Sequence, residues 1–274
     1  MASNALENKV AMVTGGSSGM GRSIALGLAK HGAKIVCCDL KQSANPNGYE
    51  ADKDVPTADL VVKNGGAAIF CQIDISNAEQ VKDGFEKTIS TFGRLDMVIN
   101  CAGYWAPFRT FAEEDDELWS KMSAVNTLGT ARMCRSAIQQ FLKQDVDLKW
   151  GSRGRIVNIS SCAGNFGFPG EVAYSATKAA INHMTRAGAL DHAKDYINVN
   201  CVSPGVVATG MARQNFENNA IHETMQKATP WPRLGTAEDI AEAVVFLCLP
   251  GSQWMTGQIL SVDGGMTIGV PPPS

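Results

Sequence analysis

The sequence predicts a doubly wound α/β fold: a seven-stranded, mostly parallel sheet flanked by helices. Three observations carry that prediction. Short β-branched runs alternate with stretches of helical periodicity through most of the 274 residues. Several of those runs are apolar on both faces, as strands in a sheet covered on both sides must be. A glycine-rich turn, Thr14-Gly-Gly-Ser-Ser-Gly-Met-Gly21, stands between the first run and the first helical stretch.

Taken in order, residues 10–13 form the first strand. The run is short and ends in Thr-Gly-Gly, so it is no signal peptide, and a cytoplasmic location is expected. A helix over 21–31 follows, then a strand over 34–38 closed by Asp39. Residues 41–57 (KQSANPNGYEADKDVPT) are polar and contain proline, which predicts a loop. Strand 67–72, helix 77–92, strand 97–100 and helix 115–142 continue the alternation. The acid run Glu113-Glu-Asp-Asp-Glu117 follows Thr110, where carboxylates suit the positive end of a helix; it reads as a cap, not a metal site. Strand 155–159, helix 174–193 and strand 198–202 come next. Residues 208–230 make a long excursion of the kind that serves as a lid or binding loop. Helix 237–249 and strand 259–262 complete the alternation, and 269–274 (GVPPPS) is a short C-terminal tail. No linker or compositional shift divides the chain, so 1–274 reads as one domain with a lid around 208–230.

Composition excludes several classes of function. Hydrophobic residues make up 45% of the chain and charged residues 19%, which suits a globule with a large core. A net charge of -3 without any basic cluster argues against a nucleic-acid partner. No apolar stretch is long enough to cross a membrane. The eight cysteines follow no zinc or redox spacing, and Cys71, Cys201 and Cys248 lie inside apolar runs. They read as reduced, buried thiols. His31, His183, His192 and His222 also lack metal spacing, so no metal is expected.

The chemistry points to Tyr174 and Lys178. A helix sets positions i and i+4 on one face, which brings phenol and ammonium together. A free tyrosine has a pKa of ~10 and is a weak base at neutral pH; a nearby cation favours the phenolate. Ser161 lies thirteen residues upstream, with Ser160 beside it as the alternative hydroxyl. At the other end of the chain, Gly15, Ser17, Ser18, Gly19, Met20 and Gly21 form a turn that can approach a pyrophosphate at a helix start. Asp39 closes the second strand, where a carboxylate meets adenosine ribose hydroxyls and repels a 2′-phosphate. NAD is therefore expected over NADP, with Lys41 nearby as the one feature that speaks for NADP.

Together these residues resemble the short-chain dehydrogenase/reductase family in its single-domain form, over nearly the whole chain. The TGxxxGxG spacing is similar to that family's version of the glycine turn. The resemblance implies a Rossmann fold and further site residues. Asp74 and Ile75, in Ile-Asp-Ile, match the adenine contact after the third strand. Asn100, Ala102 and Gly103 belong to Asn100-Cys-Ala-Gly103, which resembles Asn-Asn-Ala-Gly with Cys101 in place of the second Asn. Asn126 looks like the family's helix asparagine, implied to hold a water that links the lysine to solvent. Ser161, Tyr174 and Lys178 match the catalytic serine, tyrosine and lysine; Tyr174 and Lys178 are implied to touch the cofactor too. Pro204, Gly205, Val207 and Thr209 resemble the segment that holds the nicotinamide carboxamide, and Val262-Asp-Gly-Gly265 is like the last strand. Related proteins are usually homotetramers built through the fourth and fifth helices and the last strand.

The expected reaction is hydride transfer between a secondary alcohol and NAD, with Tyr174 as acid and base. Tyr104, Trp105, Phe108, residues 162–168 with Phe168, and Met211, Phe216 and Met225 on the lid should frame the substrate. They are aromatic and apolar, so a hydrophobic small molecule, cyclic alcohols included, or its ketone is expected. Arg213 and Lys227 read as solvated lid charges. The rival readings are an NADP-dependent ketone reductase, a non-catalytic nucleotide sensor or scaffold, and a lyase or isomerase on the same scaffold.

Overall fold

The computed structural model describes residues 4–269; apart from Gly269, the expected C-terminal tail lies outside them. Seven strands form one sheet: β1 (Val10–Thr14), β2 (Lys34–Asp39), β3 (Ala68–Gln72), β4 (Met97–Asn100), β5 (Gly154–Ile159), β6 (Ile197–Pro204) and β7 (Ile259–Val262). Their order is β3-β2-β1-β4-β5-β6-β7, and every neighbouring pair is parallel. The sheet is thus parallel throughout rather than mostly so. The chain winds outward from β1 to β3, then crosses back to place β4 against β1. That reversal opens a crevice at the strand C-termini, which is where ligands bind in such sheets. The architecture is a Rossmann fold.

Helices α1 (Gly19–Lys30), α2 (Thr57–Lys63) and α9 (Ala237–Cys248) cover one face. Helices α3 (Ala78–Phe92), α5 (Thr130–Phe141) and α6 (Val172–His192) cover the other. Alternation along β1 shows why both layers hold. Ala11 and Val13 point into the core with Ile24 and Leu28 of α1, whereas Val10 and Met12 point into the core with Phe85, Met133 and Phe141. Ile24 and Leu28 are wholly buried, which stabilises the fold by about 1.5–3 kcal/mol each.

Three segments depart from the sequence expectation. Thr57, read as the end of the loop, and residues 58–63, unassigned from the sequence, form α2. The expected helix over 115–142 is α4 (Asp116–Met122), a π-helical stretch (Ser123–Gly129) and α5 in direct succession. The excursion at 208–230 carries α7 (Arg213–Glu217) and α8 (Asn219–Ala228). The acid run works as caps at three separate starts. Glu113 closes a capping box with Thr110, Asp115 accepts from Leu118 N at 2.8 Å, and Glu114 accepts from Ala173 N at the head of α6 at 3.1 Å.

Candidate active site

The glycine turn closes because two positions lack a side chain. Gly15 has a φ of 66°, the left-handed region that glycine enters without strain. A Cβ on Gly21 would collide with the Gly15 carbonyl. The turn, with Gly15, Ser17, Ser18, Gly19, Met20 and Gly21, lines a long cleft over the ends of β1, β2 and β4. Asp39, Asp74, Ile75, Ala102, Gly103 and Thr209 line the same cleft.

Asp39 is held by the turn it borders: Oδ2 accepts from Ser17 N at 3.1 Å and Oδ1 from Leu40 N at 2.8 Å. Burial pushes its carboxyl up, and those two N-H groups pull it back. Asp74 Oδ1 accepts from both N and Oγ of Ser76, at 2.8 and 2.7 Å. Thr14 Oγ1 accepts from Cys101 N and Ala102 N at 3.1 and 3.0 Å, which ties the β1 turn to the segment after β4.

Segment 41–57 is far more closely tied than a plain loop. The buried Arg22 guanidinium reaches Val55 O at 2.9 Å, Thr57 Oγ1 at 3.0 Å and Asp52 Oδ1 at 2.9 Å. Ser43, Asn45 and Pro46 line the long cleft. Glu50 Oε1 accepts from Gly19 N at the start of α1, and its Oε2 is buried without a partner among the described residues. An anion therefore already sits where the helix start offers N-H groups and positive field. A carboxylate at that helix start, beside a turn whose glycines leave the backbone bare, indicates that these residues fit the phosphates of a dinucleotide.

A second pocket adjoins the first, sharing Met20, Thr209 and Met211 with it. Ser161 and Tyr174 face this pocket together with Trp105, Phe108, Phe168 and Met225. Pro204, Gly205 and Val207 line its inner wall. Ser161 follows β5 and accepts from Ala163 N at 3.2 Å. Ser160 donates instead to Lys178 O at 3.1 Å, so its hydroxyl is spent on α6.

Lys178 lies one turn along α6 from Tyr174, its Nζ 5.5 Å from the tyrosine ring centre. Nζ also donates to Ile159 O at 3.1 Å. Burial lowers the ammonium pKa. Tyr174 keeps some surface on the pocket, yet its phenol is shut away from bulk water. That burial is the main reason its pKa is pushed up, with the Glu171 charge adding to it and the Ser161 hydroxyl pulling it down. Asn126 is wholly buried in the π-helical stretch. Its Oδ1 accepts from Tyr104 N at 2.7 Å, and its Nδ2 donates to Tyr104 O at 2.9 Å and Thr177 Oγ1 at 3.1 Å. Gly103 passes between Asn126 and Lys178: a Cβ there would lie 3.5 Å from Oδ1 and 3.6 Å from Nζ.

Several predicted residues sit elsewhere than expected. Tyr104 lines the long cleft rather than the second pocket, with the Lys121 ammonium 4.3 Å above its ring. Asn100 turns its amide into a buried network, donating to Asn158 Oδ1 at 2.8 Å and Cys134 Sγ at 3.3 Å. Phe216 packs on Tyr49 and His222, not on the pocket. Arg213 is spent on Asn47 O and the Tyr49 ring, whereas Lys227 is a solvated lid charge as expected, paired with Glu223 on the surface. Burial pushes the Cys101 thiol up to about 12 and Cys162 to about 11, which leaves both as protonated packing groups. No group of three or more metal-ligating side chains occurs among the described residues. None of their helices is long and apolar enough to cross a membrane.

Two acids escaped the sequence reading: Glu50 and Glu171. Glu171 lines the second pocket and receives a hydrogen bond from Trp105 Nε1. Its place at the N-cap of α6, three residues before Tyr174, is the signal that would have flagged it.

The sequence matches the family model described as enoyl-(acyl carrier protein) reductase over residues 15–267. An uncharacterized oxidoreductase of Thermotoga maritima is 36% identical, covering 95% of this chain and 98% of its own. A 3-oxoacyl-(acyl-carrier-protein) reductase of Chlamydia muridarum is 34% identical over 95% of this chain and 98% of its own. Among solved structures, a putative 2-deoxy-D-gluconate 3-dehydrogenase of Agrobacterium tumefaciens with bound NADP superposes with a TM-score of 0.84 at 29% identity, covering 98% of this chain and all of its own. With a family match along nearly its whole length, the glycine turn on one cleft, and Ser161 and Tyr174 on the pocket that adjoins it, the chain belongs to the short-chain dehydrogenase/reductase family of nicotinamide-dependent oxidoreductases.

Proposed function

We propose that this protein is a cytoplasmic, NAD-dependent dehydrogenase of hydrophobic secondary alcohols, cyclic ones included, with Tyr174 as acid and base. The observation that carries the reading is the meeting of Ser161 and Tyr174 in one apolar pocket, with the Lys178 ammonium beside the tyrosine ring. A bound nicotinamide dinucleotide supplies the hydride acceptor or donor. The chain's own residues do the rest. Tyr174 takes the alcohol proton in oxidation and returns it in reduction. Ser161 donates to the same substrate oxygen and stabilises the charge that grows there. Lys178 holds a positive charge near the phenol and so opposes the effect of burial. Asn126 fixes Tyr104 and, through Thr177, the first turns of α6. Trp105, Phe108, Phe168 and Met225 keep water from the carbinol and favour an apolar body. Residues 208–230 act as the lid of this single domain.

Asp39 supports NAD, because its carboxylate suits ribose hydroxyls and opposes a 2′-phosphate. The reverse reading, NADPH-dependent ketone reduction, draws support from the NADP-bound relative and from Lys41 and Lys121 on the cleft. Fluorescence titration with NADH and NADPH separates them, followed by nicotinamide absorbance with a panel of secondary alcohols. Tight NADH binding and NADH production are expected. Tight NADPH binding with ketone reduction would overturn the NAD reading, and nucleotide binding without any turnover would favour a sensor. A homotetramer belongs to the same proposal: Leu190 and Trp254 are 82% and 97% exposed, apolar surface that further copies would cover. A light-scattering mass of one subunit would contradict it.

A further inference from the structure

Glu171 is the only carboxylate on the apolar pocket in front of Tyr174, among the described residues. One oxygen is taken: Oε1 accepts from Trp105 Nε1. The other, Oε2, accepts from no protein donor among the described residues and is not sealed inside the protein. Burial raises the carboxyl pKa, and the Trp105 bond holds it down. A carboxylate in such surroundings is costly unless a donor satisfies it. Trp105 does half of that, on the side away from the open oxygen.

Position sharpens the point. Glu171 stands at the N-cap of α6, Tyr174 lies on the first turn of that helix, and both line the one pocket. A ligand whose reacting oxygen meets Tyr174 therefore carries its next few atoms past Glu171. Charge narrows the choice further, since the cations of the lid are turned elsewhere: Arg213 to Asn47 and Tyr49, Lys227 to Glu223. An anionic substrate would meet a carboxylate with no compensating cation on the pocket wall among the described residues.

We infer that Glu171 is a specificity-determining residue that accepts a hydrogen bond from a second hydroxyl of the substrate, so that the pocket selects apolar diols, or the matching hydroxyketones, over mono-alcohols and anions. The inference rests on the proposed dehydrogenase reading and adds the substrate class to it. A site built to bond a hydroxyl discriminates strongly against the analogue that lacks it, because its own polar group is then left unpaired.

The test compares wild type with Glu171→Leu and Glu171→Gln, using cyclohexanol, cyclohexane-1,2-diol and cyclohexane-1,4-diol with NAD. Wild type should favour the better diol over cyclohexanol by at least about tenfold in kcat/KM. Glu171→Leu should bring that ratio to about one through loss on the diol side, and Glu171→Gln, which keeps an acceptor oxygen, should retain part of it. Diol affinity is read independently from tryptophan fluorescence of the NADH-loaded protein, and should weaken about tenfold in Glu171→Leu. A diol preference unchanged in Glu171→Leu overturns the inference and leaves the dehydrogenase reading standing. If no alcohol is oxidised, that reading fails, and the diol affinities of wild type and Glu171→Leu still decide the role of Glu171: equal values overturn it.

Discussion

Lys178 holds its ammonium 5.5 Å from the centre of the Tyr174 ring while donating 3.1 Å to the carbonyl of Ile159. The cation is thus anchored to the end of β5, the strand that leads into Ser161, and cannot swing away from the phenol without breaking that bond. Lys178→Met should lower kcat/KM by roughly 10²- to 10⁴-fold, the range a positioned acid-base system contributes. Steady-state kinetics at saturating nucleotide check this. A variant within about threefold of wild type would remove Lys178 from the mechanism.

The pH profile of alcohol oxidation reports the groups around Tyr174. Burial raises the phenol's pKa, the Glu171 charge adds to it, and the Ser161 hydroxyl lowers it. Oxidation needs the phenolate, so the rate should climb with pH toward the tyrosine's raised pKa. Glu171→Gln removes a negative charge, lowers that pKa and moves the rising limb to lower pH. A limb that stays put, or moves up, would contradict this electrostatic picture.

Asp39 should decide nucleotide choice. Asp39→Asn keeps one of the two acceptor oxygens that meet Ser17 N and Leu40 N and removes the charge that would face a 2′-phosphate. The ratio of NADPH to NADH affinity should rise at least about tenfold, roughly 1.4 kcal/mol. Fluorescence titration with both nucleotides measures it, and an unchanged ratio would assign Asp39 to turn geometry alone.

Glu50 should compete with a bound nucleotide for the start of α1. Its carboxylate accepts from Gly19 N, and a charge at a helix start is worth about 0.3–1 kcal/mol, rising to ~2 when partly buried. Glu50→Gln should therefore bind NADH a few fold more tightly and, without nucleotide, melt at a slightly lower temperature. Weaker NADH binding in the variant would mean that Glu50 helps to hold the nucleotide.

Much of the fold was legible because parallel strands covered on both faces read as short apolar runs, and each run ends at a turn signal. Val10, Val13, Met97 and Ile99 needed nothing more than that pattern. Helix α2 escaped because its seven residues follow a polar stretch and owe their place to Arg22, a side chain more than thirty residues upstream. The π-helical stretch escaped too. Its sequence is plainly helical, and the bonds that Asn126 makes to Tyr104 and Thr177 belong to tertiary structure. The same contact turns Tyr104 toward the long cleft. Asn100 was placed on the cofactor side by its motif, yet its amide answers to Asn158 and Cys134 on the neighbouring elements. Glu50 was invisible because a single acid in a loop carries no pattern, and Glu171 was passed over although it stands three residues before Tyr174. Only folding brings one to Gly19 and the other to Trp105.

The most direct test of the account is Tyr174→Phe, which removes one oxygen and leaves the ring in place against Lys178. NADH affinity, by fluorescence titration, should stay within about twofold of wild type, while kcat for the best alcohol should fall by roughly 10³-fold or more. A variant that keeps more than about a tenth of wild-type turnover would contradict the assignment of Tyr174 as the acid and base.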